Sequence, residues 1–226
     1  MDITKYILSK TRKLISHPEI TPGKEDWSMF NSGGVEVEVA EFLYSLIRMI
    51  KPERILETGT HLGVSSLYMA LGLQKNSKGK ISTFEVIPEL RSQAVSLWKD
   101  FNVESFIDSN LIPSLSASFS SDTIFDILFL DSEPQYRFDE FKLFFPLLKP
   151  GGLIIIHDLH GSLGHHGQTY HDLYDWPYGD FRESLGPYIT NHQVQLISFN
   201  TPRGMTLFQK ESEEFEGIKY LKEKLK

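Results

Sequence analysis

The segment with the clearest chemical meaning is ETGTHLGVSS, residues 57–66, which follows a short apolar stretch. Gly59 allows a tight turn and leaves room for a ligand beside the backbone. The helix predicted to begin near Gly63 points unpaired N–H groups at the same space, and such groups bind an anion such as a carboxylate. Glu57 suits a neighbouring ammonium group. Because the spacing Glu-x-Gly-x-x-x-Gly differs from the Gly-x-Gly-x-x-Gly of dinucleotide sites, the segment predicts a site for an amino-acid moiety.

Polar side chains also end the next two predicted strands. Glu85 ends one of them, where its carboxylate can accept hydrogen bonds from both hydroxyls of a ribose. Asp108, Ser109 and Asn110 end the other, where they can meet the edge of an adenine. Ligands bind at the carboxyl ends of parallel strands, so these residues and the glycine segment together predict one crevice. Taken singly, they are equally consistent with a surface acid and a loop cap.

A second pair of acidic residues, Asp131 and Asp158, follows two further apolar stretches. If those stretches are adjacent parallel strands, both carboxylates lie at the same edge of the sheet. Carboxylate oxygens are ligands that hard divalent cations prefer, so Asp131 and Asp158, with His160 as a third ligand, could hold an ion such as Mg²⁺. The alternative is that Asp131 supports a cofactor pocket and Asp158 caps a loop.

Histidines are concentrated between residues 157 and 171, in a segment that also contains several glycines. A histidine there could take a proton from a substrate hydroxyl near neutral pH. His160, two residues after Asp158, is the first candidate for this base, and His61 is the second. His157 alternates with apolar residues and could instead be a structural group.

The elements that must position these residues alternate along the chain. Short strands are predicted at residues 54–57, 80–86, 103–107, 126–130 and 153–156. Helices are predicted at residues 2–16, 35–50, 64–73, 88–101 and 137–148, with a loop at 19–34. This alternation is typical of a parallel sheet with helices on both faces. Residues 194–199 and 205–210 predict an antiparallel hairpin joined to it.

Composition limits the class of protein. The 226 residues suit one main domain, predicted at 35–210, with an N-terminal helix and lid at 1–34 and a helical tail at 211–226. The absence of cysteine excludes disulfides and thiolate metal sites and fits the cytoplasm. The net charge of -7 disfavours a nucleic-acid partner, and no apolar stretch suits a membrane span. The N-terminal helix and the tail could mediate a homodimer.

The glycine segment resembles the first motif of the small-molecule O-methyltransferase branch of class I S-adenosylmethionine-dependent methyltransferases, and the resemblance covers about residues 35–210. It implies a Rossmann-like seven-stranded α/β sheet, mostly parallel with an antiparallel last strand and with helices on both faces. It also implies that S-adenosylmethionine is the cofactor. By this resemblance the cofactor-binding residues are Glu57, Gly59, Thr60, His61, Gly63, Ser65, Glu85, Asp108, Ser109 and Asp131.

The second group resembles a subgroup whose pattern is an Asp after strand four, an aromatic residue, Pro-Gly-Gly and a His-Asp pair. Asp131, Tyr136 and the pair His157-Asp158 match this pattern. Two positions depart from it. Pro134 stands where many relatives carry a histidine or lysine, and a leucine follows Asp158 where metal-dependent catechol-type relatives carry asparagine or aspartate.

The sequence therefore predicts methyl transfer from S-adenosylmethionine to a small molecule, at a hydroxyl oxygen, with Asp131, Asp158 and His160 as catalytic residues. Three alternatives remain. A nicotinamide-dependent oxidoreductase would use a similar sheet, a binding module could keep the cofactor site without catalysis, and the histidine segment could serve a metal-dependent oxygenase or hydrolase.

Overall fold

The protein is described by a computed structural model that covers residues 3–8, 14–16, 27–31, 33–158, 181–199, 201 and 203–211. In chain order the strands are β1 (Ile15–Ser16), β2 (Ser28–Met29), β3 (Arg54–Thr58), β4 (Lys80–Phe84), β5 (Ile107–Asn110), β6 (Phe125–Leu130), β7 (Leu148–His157), β8 (Val194–Phe199) and β9 (Met205–Lys210). The helices are α1 (Ile3–Leu8), α2 (Val37–Ile50), α3 (Val64–Asn76), α4 (Pro88–Asp100), α5 (Pro134–Phe144) and α6 (Phe181–Thr190). Short 3-10 turns lie at Glu104–Phe106, Ser114–Ser116 and Phe145–Leu147.

Seven strands form one sheet in the order β5-β4-β3-β6-β7-β9-β8. Strands β3 to β7 are parallel, and β9 is antiparallel to both β7 and β8. This arrangement confirms the predicted mostly parallel sheet with its terminal hairpin. The chain winds outward from β3 to β5 and then returns to β6 on the other side of β3. That reversal opens a crevice at the carboxyl ends of β3 and β6, which is where ligands bind in such sheets.

Apolar side chains cover both faces of the sheet because neighbouring residues of a strand point to opposite sides. Ile55 belongs to the core beneath α2, α3 and α4, whereas Leu56 belongs to the core beneath α5 and α6. Helix α3 is buried at every position from Val64 to Leu73, so it is apolar all round. These two cores hold the strand ends that form the crevice in fixed positions.

The structure corrects several predicted boundaries. The helix predicted at residues 2–16 is wrong, because α1 ends at Leu8 and Ile15–Ser16 pairs antiparallel with Ser28–Met29. Strand β5 begins at Ile107, after a 3-10 turn, and not at residue 103. Helix α5 begins at Pro134, whose fixed φ suits a first helical turn.

The histidine segment after Asp158 and the tail from 212 lie outside the described residues. Within the described part of the chain, no helix is both long and apolar enough to cross a membrane.

Candidate functional site

A cavity of about 970 Å³ opens at the carboxyl ends of β3, β4, β6 and β7. The predicted site residues that line it are Gly59, Thr60, His61, Gly63, Ser65, Glu85, Asp131 and Asp158. Arg137, Arg203 and the loop at residues 33–35 also contribute to its walls. The structure therefore brings most of the predicted cofactor residues to a single cleft at the reversal of the strand order.

The glycine segment is held in a tight turn between two strands. Gly59 has φ +80°, and a methyl group added to it would lie 2.2 Å from the carbonyl oxygen of Asp131. Thr60 donates its backbone N–H to Phe84 O at 3.1 Å, and Asp131 donates its own to Thr58 O at 3.1 Å. The loop after β3 is thus fixed against the ends of β4 and β6, and no side chain fits at residue 59.

A second close approach occurs at Gly63, where α3 begins. Its φ is +76°, and an added methyl group would lie 2.7 Å from both Ala94 Cβ and Trp98 Nε1. Trp98 Nε1 donates to Gly63 O at 2.9 Å. Helix α4 therefore packs directly on the start of α3, which leaves the first turn of α3 facing the cleft.

Glu85 is locked in place at the end of β4. One of its oxygens accepts hydrogen bonds from the backbone N–H groups of Val86 and Ile87, each at 2.9 Å. The other accepts one from His61 N at 2.8 Å. The carboxylate thereby ties the glycine segment to the end of β4, and it lines the cleft.

Glu57 lies beneath the cleft and not on its wall. The side chain is fully buried, and it accepts hydrogen bonds from Ser65 Oγ at 2.6 Å and from Ser66 Oγ. Burial raises the pKa of Glu57 to about 7, although the hydrogen bonds from Ser65, Ser66 and Thr83 oppose that rise. The carboxyl group therefore reaches a ligand only through Ser65, which itself lines the cleft.

The raised pKa of Glu57 predicts a pH-dependent stability. The folded protein binds this proton more tightly than the unfolded chain does. The contribution of protonated Glu57 to the free energy of unfolding is fully present below about pH 4.5 and is lost as the pH rises through about 7. That gap corresponds to a free energy on the order of 3 kcal/mol. Glu57→Gln should therefore gain stability over the wild type between about pH 5 and about pH 9, as measured by urea unfolding.

The matched control is Glu53→Gln, since the Glu53 side chain is 80% exposed. The free energy of unfolding of Glu53→Gln should stay within about 0.5 kcal/mol of the wild-type value at both about pH 5 and about pH 9. If both variants differed equally from the wild type in free energy of unfolding at alkaline pH, the raised pKa of Glu57 would be contradicted.

Asp108 and Ser109 lie apart from the cleft, contrary to their predicted place beside an adenine. The Asp108 carboxylate lies 2.9 Å from Lys80 Nζ and lines a separate depression that includes Ser82. Ser109 Oγ accepts a hydrogen bond from Arg91 Nε at 2.9 Å. Both residues lie inside β5, which runs on to Asn110, and not after the end of a strand predicted to stop at residue 107.

Apolar side chains occupy the cleft wall where those polar residues were expected. These residues follow the ends of β4 and β5, and they are Val86, Ile87, Ile112 and Leu115. They are 38 to 59% exposed, so a flat apolar ligand would cover surface that otherwise faces water.

A compact cluster of charged groups forms the other end of the cleft. His157 is fully buried, with Nε2 2.7 Å from Glu36 Oε2 and Nδ1 3.2 Å from Asp131 Oδ1. Nδ1 also lies 3.1 Å from Asp158 Oδ1. Arg137 Nη2 lies 3.4 Å from Asp131 Oδ1 and 3.1 Å from Asp158 Oδ2. The predicted pairing of Asp131 and Asp158 at one sheet edge is thus present, with an arginine and a histidine between them.

The pKa values of His157 and Asp158 are set by the opposite charges that lie beside each group. Burial alone would lower the pKa of His157, but the carboxylates of Asp158, Asp131 and Glu36 raise it well above its usual range. Burial would raise the pKa of Asp158, yet His157, Arg137 and Arg203 lower it overall. Each buried charge has an opposite charge beside it, which is the condition for such groups to remain ionised.

His61 is a neutral group on the cleft wall. Burial lowers the pKa of its imidazole, and the ring lies against Gly33, on the loop that precedes α2. Its Nδ1 is buried and has no hydrogen-bond partner among the residues that the structure describes. A ligand in the cleft could supply that partner.

Oxygen and nitrogen atoms of Asp131, His157 and Asp158 lie within 4.8 Å of one another, so their type and spacing could suit a divalent ion. However, Arg137 Nη2 already occupies the position between the two carboxylates. Both ring nitrogens of His157 also face carboxylate oxygens. The donor set therefore fits a protein cation better than a metal ion.

Three further residues of the site carry no motif in the sequence. Glu36 caps the start of α2 and reaches His157 across the sheet. Arg203, in the turn between β8 and β9, donates Nη1 to Gly34 O at 3.3 Å and lines the cleft. Glu140 is buried beneath the cleft and accepts hydrogen bonds from hydroxyls that include Thr58 Oγ1 at 2.9 Å and Ser132 Oγ at 2.7 Å. These three residues were missed in the sequence because their contacts join parts of the chain that are far apart.

The chain is similar in sequence to known methyltransferase domains. Residues 56–159 match a family described as a methyltransferase domain. Over 125 residues the chain is 33% identical to catechol O-methyltransferase domain-containing protein 1 of Mus musculus. This alignment covers 53% of this chain and 47% of that protein. The match thus spans about half of that relative. A protein from Mycobacterium sp. (strain JLS), provisionally named an O-methyltransferase, is 25% identical over 167 residues, 66% of this chain and 71% of that protein.

Solved structures share the fold. The O-methyltransferase TomG from Streptomyces achromogenes, in complex with S-adenosylmethionine, aligns with a TM-score of 0.64 and 21% identity over 81% of this chain and 84% of that chain. The O-methyltransferase from Bacillus cereus, in complex with S-adenosylhomocysteine, aligns with a TM-score of 0.66 and 20% identity over 80% of this chain and 84% of that chain. At these identities the likeness establishes the fold.

Proposed function

We propose that this chain, whose residues 56–159 match a methyltransferase-domain family, binds S-adenosylmethionine in the cleft and transfers its methyl group to a hydroxyl oxygen of a small molecule. The observation that carries the proposal is the cleft itself. A tight turn at Gly59, a carboxylate fixed by backbone N–H groups and an apolar wall face one cavity of about 970 Å³. These features suit an amino-acid end, a ribose and an adenine in that order.

The cofactor would lie across the ends of β3 and β4. Ser65 and the start of α3 suit its carboxylate because helix N-termini stabilise anions. Glu85 suits the ribose hydroxyls, and the apolar residues Val86, Ile87, Ile112 and Leu115 suit the faces of the adenine. This order places the methyl group toward the end of β6, beside Asp131.

Asp131 is the proposed catalytic residue. Its contacts with Arg137 and His157 both fall on Oδ1. Within the described residues Oδ2 accepts no hydrogen bond, and the side chain lines the cleft. Oδ2 can accept the proton of the acceptor hydroxyl while the oxygen–carbon bond forms and the sulfur–carbon bond breaks. Asp158, paired with Arg137, acts as a positioning residue, and the role predicted for His160 stays a prediction.

Replacing Asp131 tests this assignment. Asp131→Asn removes the proton acceptor and keeps the shape, so turnover should fall by about 100-fold or more while the affinity for S-adenosylhomocysteine stays within about threefold. Turnover is measured as S-adenosylhomocysteine formed with a panel of phenol and sugar-alcohol acceptors.

The matched control is Asp126→Asn, at the opposite end of the same strand, where Asp126 pairs with Lys149. That variant should keep its turnover. Unchanged turnover in Asp131→Asn would contradict the catalytic role of Asp131. A wild-type protein that binds the cofactor but methylates no acceptor of the panel would favour a binding module.

A further inference from the structure

We propose that Arg137 takes the place of a divalent cation between Asp131 and Asp158, so that this chain holds its two site carboxylates with its own guanidinium group. The inference depends on the proposed function only for the position of the reacting atoms. It concerns how the charged end of the cleft is built, and it can be tested without a methyl acceptor.

The guanidinium group is held on every side. Nε donates to Ser132 O at 2.7 Å, and Nη1 donates to His157 O at 2.5 Å. Nη2 faces Asp131 Oδ1 at 3.4 Å and Asp158 Oδ2 at 3.1 Å. Arg137 is only 5% exposed. A buried planar fork fixed at three nitrogens cannot swing aside for an ion without leaving several hydrogen bonds unmade.

The charges in the cluster balance without an added ion. Glu36, Asp131 and Asp158 supply the negative groups, and Arg137 and His157 lie between them. The guanidinium of Arg203 adds a further positive group, with Nε 4.0 Å from Asp158 Oδ1. A divalent cation placed among these groups would lie within a few ångströms of like charge in a buried setting, where repulsion is strong.

The donors that a metal ion would use are also already engaged. Nε2 of His157 lies 2.7 Å from Glu36, and Nδ1 lies 3.1 to 3.2 Å from Asp158 and Asp131. A histidine binds a metal through a nitrogen lone pair, and neither ring nitrogen points to open space.

Two features of the sequence agree with this arrangement. Pro134 starts α5, which places Arg137 in the first turn, directly above the ends of β6 and β7. The residue after Asp158 is Leu159, whose side chain offers no oxygen for a metal ion. The guanidinium group of Arg137 and the lack of a side-chain oxygen at residue 159 therefore agree with each other.

Titration with Mn²⁺ tests the proposal directly. The wild type should bind Mn²⁺ no more tightly than Asp131→Asn, which removes one of the two site carboxylates. Lys149→Met, which removes a cation from the Asp126 pair at the other end of β6, is the matched control for Arg137→Met and should gain less affinity than that variant. Arg137→Met leaves two carboxylates without their cation and should bind Mn²⁺ at least about tenfold more tightly than the wild type, by electron paramagnetic resonance. Arg137→Lys, which keeps the charge, should behave like the wild type.

The proposal is overturned if the wild type binds Mn²⁺ clearly more tightly than Asp131→Asn. It is also overturned if Arg137→Met folds and gains no affinity. If Arg137→Met does not fold, the comparison of the wild type with Asp131→Asn still decides. Titration with S-adenosylhomocysteine is a separate readout, so a failure of the proposed function is recognisable on its own.

Discussion

Gly59→Ala should weaken the binding of S-adenosylhomocysteine by at least about 100-fold, equivalent to about 3 kcal/mol. The added methyl group would lie 2.2 Å from the carbonyl oxygen of Asp131, and the residue has φ +80°. Because the obstacle is backbone and not a flexible side chain, the loop after β3 must move. That movement would also pull His61 N away from Glu85, so the amino-acid and ribose ends of the cleft would be lost together.

Isothermal titration calorimetry measures this loss. The matched control is Gly186→Ala, since an added methyl group at Gly186 meets no atom within 4 Å. The control should bind like the wild type. An affinity in Gly59→Ala within about threefold of the control would mean that the turn does not contact the cofactor.

His157→Gln should destabilise the protein by about 3–5 kcal/mol at about pH 6. The imidazole is fully buried between three carboxylates, and its removal leaves Glu36 buried without the partner at 2.7 Å. Because the pKa of His157 is raised in the folded state, its contribution is fully present below about pH 6.5 and is lost as the pH rises through the raised value. The loss in His157→Gln should therefore shrink at alkaline pH.

Urea unfolding at several pH values checks this prediction, with His192→Asn as the control. His192 is exposed and has φ 55°, a conformation that asparagine tolerates. The double variant Glu36→Gln/His157→Gln should recover part of the loss, because it also removes the buried negative charge that His157 offsets. A loss below about 1 kcal/mol at about pH 6 would show that the cluster does not depend on a charged His157.

The parallel strands could be predicted because each is short, apolar and buried on both faces. The stretch 125–130 is an example, and its observed bounds differ from the predicted ones by a single residue. The first helix was overextended because residues 15–16 form strand pairs with residues 28–29, and this long-range pairing outweighs local helical spacing. The His157 contact with Glu36 joins residues 121 positions apart, which no local pattern encodes.

The cofactor side of the site was predictable where a single turn dictates geometry, as at Gly59 and Glu85. Asp108 does not line the cleft, because β5 continues to Asn110 and the Asp108 carboxylate pairs with Lys80. Arg137 was missed because it lies on a helix with no recognisable motif, and its meaning appears only when the ends of β6 and β7 are brought together. The predicted homodimer and cytoplasmic location stay predictions.

The proposed function requires that the crevice at the ends of β3 and β4 binds an adenosyl amino acid. Calorimetric titration of the wild-type protein with S-adenosylhomocysteine and, separately, with NAD⁺ tests it most directly. The expected result is micromolar binding of S-adenosylhomocysteine, lost in Glu85→Ala, and no measurable heat with NAD⁺. Binding of NAD⁺ in preference to S-adenosylhomocysteine, or equal S-adenosylhomocysteine affinity with and without the Glu85 carboxylate, would contradict the account.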